Sequence, residues 1–184
     1  IMSKVAVFMA DGCEEIEGLT VVDILRRAGI KIDMLSIGDN LNVTGSHGIQ
    51  FRADYLMTDK NSDDYDGVIL PGGMPGTTSL ENNTLVQSAL RKQFSAGKLI
   101  AAICAAPSIL GKNGMANGKK VTSYPGFEEA FSKATYVTDP VVTDGNVITS
   151  RGMGTAIDFA LAILKYLKGE DAAFEMAKKI IYNQ

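Results

Sequence analysis

Four short apolar runs, "KVAVFMA" (4–10), "KIDMLSIG" (31–38), "DGVILPGG" (66–73) and "KLIAAI" (98–103), alternate with helix-like segments. The runs carry almost no polar alternation, so each reads as a strand buried on both faces. "EEIEGLTVVDILRRAG" (14–29) reads as a helix, with acids in its first turn and Gly29 as its stop. "TLVQSALRKQFSAG" (84–97) is amphipathic and ends in glycine, and "GTAIDFALAILKYLKG" (154–169) is the most strongly helical stretch. Doubly buried strands separated by amphipathic helices predict an α/β fold, a mainly parallel sheet with helices on both faces.

Other segments fit around this frame. "LNVTGSHGIQFRAD" (41–54) predicts a hairpin turning at Gly45–Gly48, and the Asp-Gly of "VVTDGNVITS" (141–150) predicts another. "PGFEEAFSKA" (125–134) reads as a short helix, and "DAAFEMAKKII" as a closing one. No repeat or linker breaks the pattern, so a single domain over residues 2–184 is expected.

The composition narrows function by exclusion. A net charge of −3 offers no basic field for nucleic acid or anionic membrane. No apolar run approaches a membrane span, and no basic-then-apolar secretory segment heads the sequence. Two cysteines, Cys13 and Cys104, with a lone histidine, His47, give no zinc-ligand spacing, and no metal or nucleotide motif is present. Free thiols in a reducing cytoplasm are expected rather than a Cys13–Cys104 disulfide.

In a parallel sheet, chemistry gathers beyond the carboxyl ends of the strands. Three predicted strands end in unusual loops: "ADGCEE", "PGGMPG" and "CAAP". If those strands are neighbours, the loops converge. Cys104 would then occupy a sharp strand-to-helix turn, with Pro107 in the first turn of the following helix. Unpaired N–H groups at that helix start would favour the thiolate; a small buried hydrophobe is the plain alternative. Gly72 and Gly73, with the N–H of Ala105, would form an oxyanion hole, where a tight turn is the plain alternative.

Of the acids in "ADGCEEIE", Glu14 and Glu15 read as dipole partners of the helix. Glu17 heads an apolar row through Val21, Ile24 and Ala28, so its carboxyl should be protonated, able to hydrogen-bond a thiolate and to act as acid or base. His47 lies in a predicted turn, where solvation is the plain expectation; Tyr124 and Arg151 are candidates for lining the cleft.

"DGCEEIE", "VILPGG", "AAICAAPSIL", "KVTSYP" and "TSRGMGTAIDFALAI" follow one another as in the ThiJ/PfpI superfamily, and the chain most resembles its DJ-one-like branch. The resemblance spans nearly the whole chain. It implies a flavodoxin-like three-layer sandwich, a homodimer, a reactive Cys104 beside a protonated Glu17, and oxyanion-binding N–H groups on Gly73 and Ala105. It further implies cofactor-free glyoxalase- or deglycase-type activity on small dicarbonyls or glycated protein, oxidation of the cysteine to sulfinate, and a stress-linked chaperone role. Two departures argue against a Cys–His peptidase: Ala105 follows the cysteine where the peptidase-like branch has histidine, and Tyr124 stands where many animal members have histidine. His47 falls where relatives often carry arginine near the dimer interface.

Overall fold

The computed structural model describes residues 3–183. In chain order the elements are β1 (Lys4–Met9), α1 (Glu15–Arg27), β2 (Lys31–Ser36), β3 (Asn42–Thr44), β4 (Gln50–Arg52), β5 (Tyr55–Leu56), β6 (Gly67–Leu70), α2 (Gly76–Asn82), α3 (Thr84–Ser95), β7 (Leu99–Ile103) and α4 (Pro107–Lys112). They continue with β8 (Lys120–Val121), β9 (Thr135–Tyr136), β10 (Val141–Asp144), β11 (Val147–Ser150), α5 (Ala156–Lys168) and α6 (Glu170–Lys179).

Seven strands form one sheet in the order β10-β11-β7-β6-β1-β2-β5. Every pairing is parallel except the β10–β11 hairpin at one edge. The alternation of β1 shows why the sheet must be covered twice. Val5, Val7 and Met9 join Val21 and Leu25 of α1 and Phe159 and Ile163 of α5 in one core layer. Ala6 and Phe8 face the other way, into a layer with Leu80, Val86, Leu90 and Ile109 from α2, α3 and α4. The result is the expected flavodoxin-like three-layer arrangement. No helix among the described residues is long and apolar enough to cross a membrane.

The predicted hairpins both form, β3–β4 and β10–β11. The segment 125–134 does not become an α-helix: Gly126 takes φ +101°, outside helical geometry, and a single 3-10 turn forms over Glu128–Phe131. Helix α2 has no signature in the sequence, since "GTTSLEN" carries no apolar periodicity. Cys13 and Cys104 are both free.

Candidate active site

β6 lies between β1 and β7, so the three loops that follow these strands meet at one end of the sheet. Cys104 leaves β7 with φ +67°, a left-handed conformation rare for a residue with a side chain. Such a conformation costs on the order of 1–3 kcal/mol and persists only where neighbours enforce it. Here they are identifiable. The Cys104 N–H donates to the Ser150 carbonyl at 3.0 Å, and its carbonyl accepts from Tyr124 N–H at 2.8 Å. Pro107 then opens α4. The sulfur-bearing residue is half-buried.

Glu17 sits one turn into α1, whose N-cap is Glu14: the Glu14 carboxylate accepts from the Glu17 N–H at 2.9 Å. The Glu17 side chain points inward and is 1% exposed. Its Oε1 accepts from Gly72 N–H at 3.0 Å, while Oε2 is buried and receives no hydrogen bond. Cys104 is the neighbour of this carboxyl: Cys104 Cβ and Glu17 Oε1 flank the same point over Gly72, 2.6 and 2.7 Å from the place a Cβ there would take. An oxygen with no donor is where the proton of a neutral acid belongs.

Burial, chiefly, pushes the Glu17 carboxyl up to about 7; hydrogen bonds from Cys104 and Gly72 act against the rise. Burial and then the charge of an ionised Glu17 push the Cys104 thiol up to about 12, opposed by N–H groups of Ala105 and Gly73. The two groups therefore titrate as a pair, which loses one proton near neutrality and the second far above it. The surroundings of the two groups favour placing that single charge on sulfur. Cys104 is half-buried, and its sulfur faces two N–H groups. The carboxyl is sealed and has one. Burial works against the thiolate that the amides at the helix start were expected to favour, and it is the larger effect.

Gly72 and Gly73 divide their labour. A Cβ on Gly72 would lie 2.6 Å from Cys104 Cβ and 2.7 Å from Glu17 Oε1. Gly73, at φ +89°, has the Glu14 backbone N–H pressed against the place a Cβ would take. The Gly72 N–H is committed to Glu17 and is not free for an oxyanion, which corrects its place in the sequence-based set. Gly73 and Ala105 are the two whose N–H groups face the sulfur.

The remaining candidates lie around this centre. Tyr124 is exposed, its ring 3.5 Å from the Cβ position of Gly152, and its backbone holds Cys104. Arg151 Nε donates to Ser123 O at 3.0 Å. His47 is exposed on the β3–β4 turn, but it is not merely solvated. Its N–H donates to Glu15 Oε1 at 2.7 Å, and its Nδ1 lies 3.0 Å from Glu15 Oε2 and 3.5 Å from Glu14 Oε1. Glu15 is thus more than a dipole partner: a buried carboxylate anchoring a hairpin, its carboxyl held below the usual range against burial by hydrogen bonds from its own backbone and from His47 and Ile49. Glu14, Glu15 and His47 place three donor atoms within 4.8 Å of one another, a proximity made by the fold and not by sequence spacing. The amides of the hairpin already satisfy Glu15.

The description "DJ-1/PfpI family" matches residues 3–166 of the chain. Drosophila melanogaster protein dj-1beta is 45% identical over 183 residues, covering 98% of each chain. Its crystal structure superposes with a TM-score of 0.94 over the full length of both chains, at 42% identity. A deglycase of Pyrococcus abyssi is 32% identical over 167 residues, 90% of this chain and 99% of that one. A structure described as Toxoplasma gondii DJ-1, oxidized, gives a TM-score of 0.95 at 34% identity, covering 99% of this chain and all of the other.

Proposed function

The chain belongs to the DJ-1/PfpI family, and from that premise we propose a cysteine-dependent glyoxalase- or deglycase-type enzyme acting on small dicarbonyls or their early protein adducts. The observation that carries this reading is the pairing of a buried, donor-poor carboxyl with a sulfur held on a left-handed turn. The deglycase name of the archaeal relative supports the substrate class.

The reaction uses only groups of this chain and water. The Cys104 thiolate adds to the aldehyde carbon of a compound such as methylglyoxal, forming a C–S bond. The carbonyl electron pair moves to oxygen, facing the N–H groups of Gly73 and Ala105. Protonation gives a hemithioacetal. Glu17 then carries the proton from that carbon to the neighbouring carbonyl carbon, through an enediol, leaving a thioester. Water cleaves the C–S bond, releases the hydroxy acid and restores the thiolate. One water is consumed, and oxidation at one carbon balances reduction at the next. In the repair version the starting material is the adduct of the same aldehyde with a protein amine or thiol. Purified protein should convert methylglyoxal to lactate. Cys104→Ser should abolish turnover, and undiminished turnover in that variant would refute the assignment.

A second reading keeps the site without turnover: Cys104 is oxidised to sulfinate by peroxide and the protein serves as a redox sensor or holdase. The oxidised Toxoplasma relative favours it. Failure to make lactate, together with a peroxide-driven mass gain at Cys104, would select this reading. In either case we place the protein in the cytoplasm as a homodimer; exposed Ile16 on α1 and Ile49 beside β4 supply an apolar surface for a second copy.

A further inference from the structure

The two faces of the sheet are covered unequally. On one face α1 and α5 pack over a cluster that reaches Ile32 and Met34 of β2. On the opposite face α2, α3 and α4 pack over β1, β6 and β7. The last two strands at one side of the sheet, β2 and the edge strand β5, have there only two single 3-10 turns, Met57–Asp59 and Ser62–Asp64. Two short turns cannot fill the space a helix would, and an open cavity of about 400 Å³ remains between them and α3. That volume is in the range that holds a small organic molecule.

Its lining has two halves. The floor is Phe8, Leu35, Met57 and Ala89, all buried core residues. The rim carries Lys60 and Lys92 with the hydroxyls of Ser62 and Ser88. Neither lysine forms an ion pair among the described residues. The Lys60 ammonium is instead held 3.7 Å from the centroid of the Tyr55 ring. Asp59, Asp63 and Asp64 belong to the same segment but do not line the cavity. Two lysines without an ion-pair partner among the described residues, over an apolar floor, suit a ligand with an apolar body and an anionic head.

We infer that this cavity binds a small organic anion, an aryl or alkyl carboxylate or sulfonate, seated on Phe8, Leu35 and Met57 with its charge between Lys60 and Lys92. The site lies on the face of the sheet away from α1 and Glu17, so it is separate from the Cys104 chemistry and stands whether or not the proposed reaction does.

The test uses two fluorescent probes of similar shape: anilinonaphthalene sulfonate, which is anionic, and N-phenylnaphthylamine, which is neutral. The full chain should bind one equivalent of the anionic dye saturably. The Lys60→Gln/Lys92→Gln variant, altered only at polar rim positions, should bind the anionic dye about tenfold more weakly and the neutral dye unchanged. Ala89→Leu, which pushes a larger side chain into the floor, should weaken both. Absence of saturable binding, or anionic-dye binding that survives the double rim variant at full strength, would overturn the proposal. A melting curve on each variant confirms that it is folded.

Discussion

Replacing Glu17 by glutamine tests the buried acid without disturbing its shape. Glutamine keeps a carbonyl oxygen for the Gly72 N–H and an NH₂ to donate toward the Cys104 sulfur. What it removes is the ionisation. Raising a carboxyl from 4.5 in the unfolded chain to about 7 in the native one means the folded state holds the proton more tightly. Native stability is therefore fullest at low pH and falls as pH rises from the lower value through the higher, where the unfolded chain has lost the proton and the folded one is losing it. At about 1.4 kcal/mol per pH unit the interval corresponds to roughly 3 kcal/mol. Only the total proton count enters, so the figure holds whether the native charge sits on sulfur or oxygen. Urea unfolding of both proteins across this range, kept below the ordinary thiol pKa of 9.0, should show the wild type losing roughly 3 kcal/mol. Glu17→Gln should lack that loss. Parallel curves for the two proteins would refute the claim that Glu17 is held neutral by burial.

Two further outcomes follow from contacts around the site. Gly72→Ala would push a methyl group against Cys104 Cβ and Glu17 Oε1; it should cost about 1–3 kcal/mol in a thermal or urea melt and suppress turnover. Glu15→Ala removes a buried carboxylate that anchors the β3–β4 turn through the His47 N–H and ring. It should destabilise the protein by about 2 kcal/mol and speed hydrogen exchange at the His47 amide. Unchanged exchange there would show that the turn holds without Glu15.

Much of this architecture is visible in the sequence because it rests on patterns with a fixed physical period. Buried parallel strands are apolar without alternation, so Val5–Met9 and Leu99–Ile103 announce themselves, and the row Glu17, Val21, Ile24 shows which face of α1 is buried. The loops that end β1, β6 and β7 stand out by glycine, proline and cysteine. What stays hidden depends on sheet order and on single hydrogen bonds. Nothing near Ser150 or Tyr124 signals that their backbones pin Cys104, since that contact exists only once β11 lies beside β7. Nor does the pair Gly72-Gly73 reveal which N–H turns to Glu17 and which to sulfur. The role of Glu15 is concealed for a similar reason: an acid in a first helical turn looks like a dipole partner until the hairpin folds onto it. The 125–134 segment shows the opposite failure: its helix-forming residues make one 3-10 turn, with Gly126 in a left-handed conformation ahead of it.

The most direct test is a titration of the Cys104 thiolate by its ultraviolet absorbance, with Cys13→Ser as background and the rate of iodoacetamide alkylation as a second readout. If the neutral acid and the Gly73 and Ala105 amides place the pair's first negative charge on sulfur, thiolate and alkylation should rise together near pH 7, where the pair loses its first proton. A thiolate that emerges only near 12, with Glu17 ionised long before, would contradict the account.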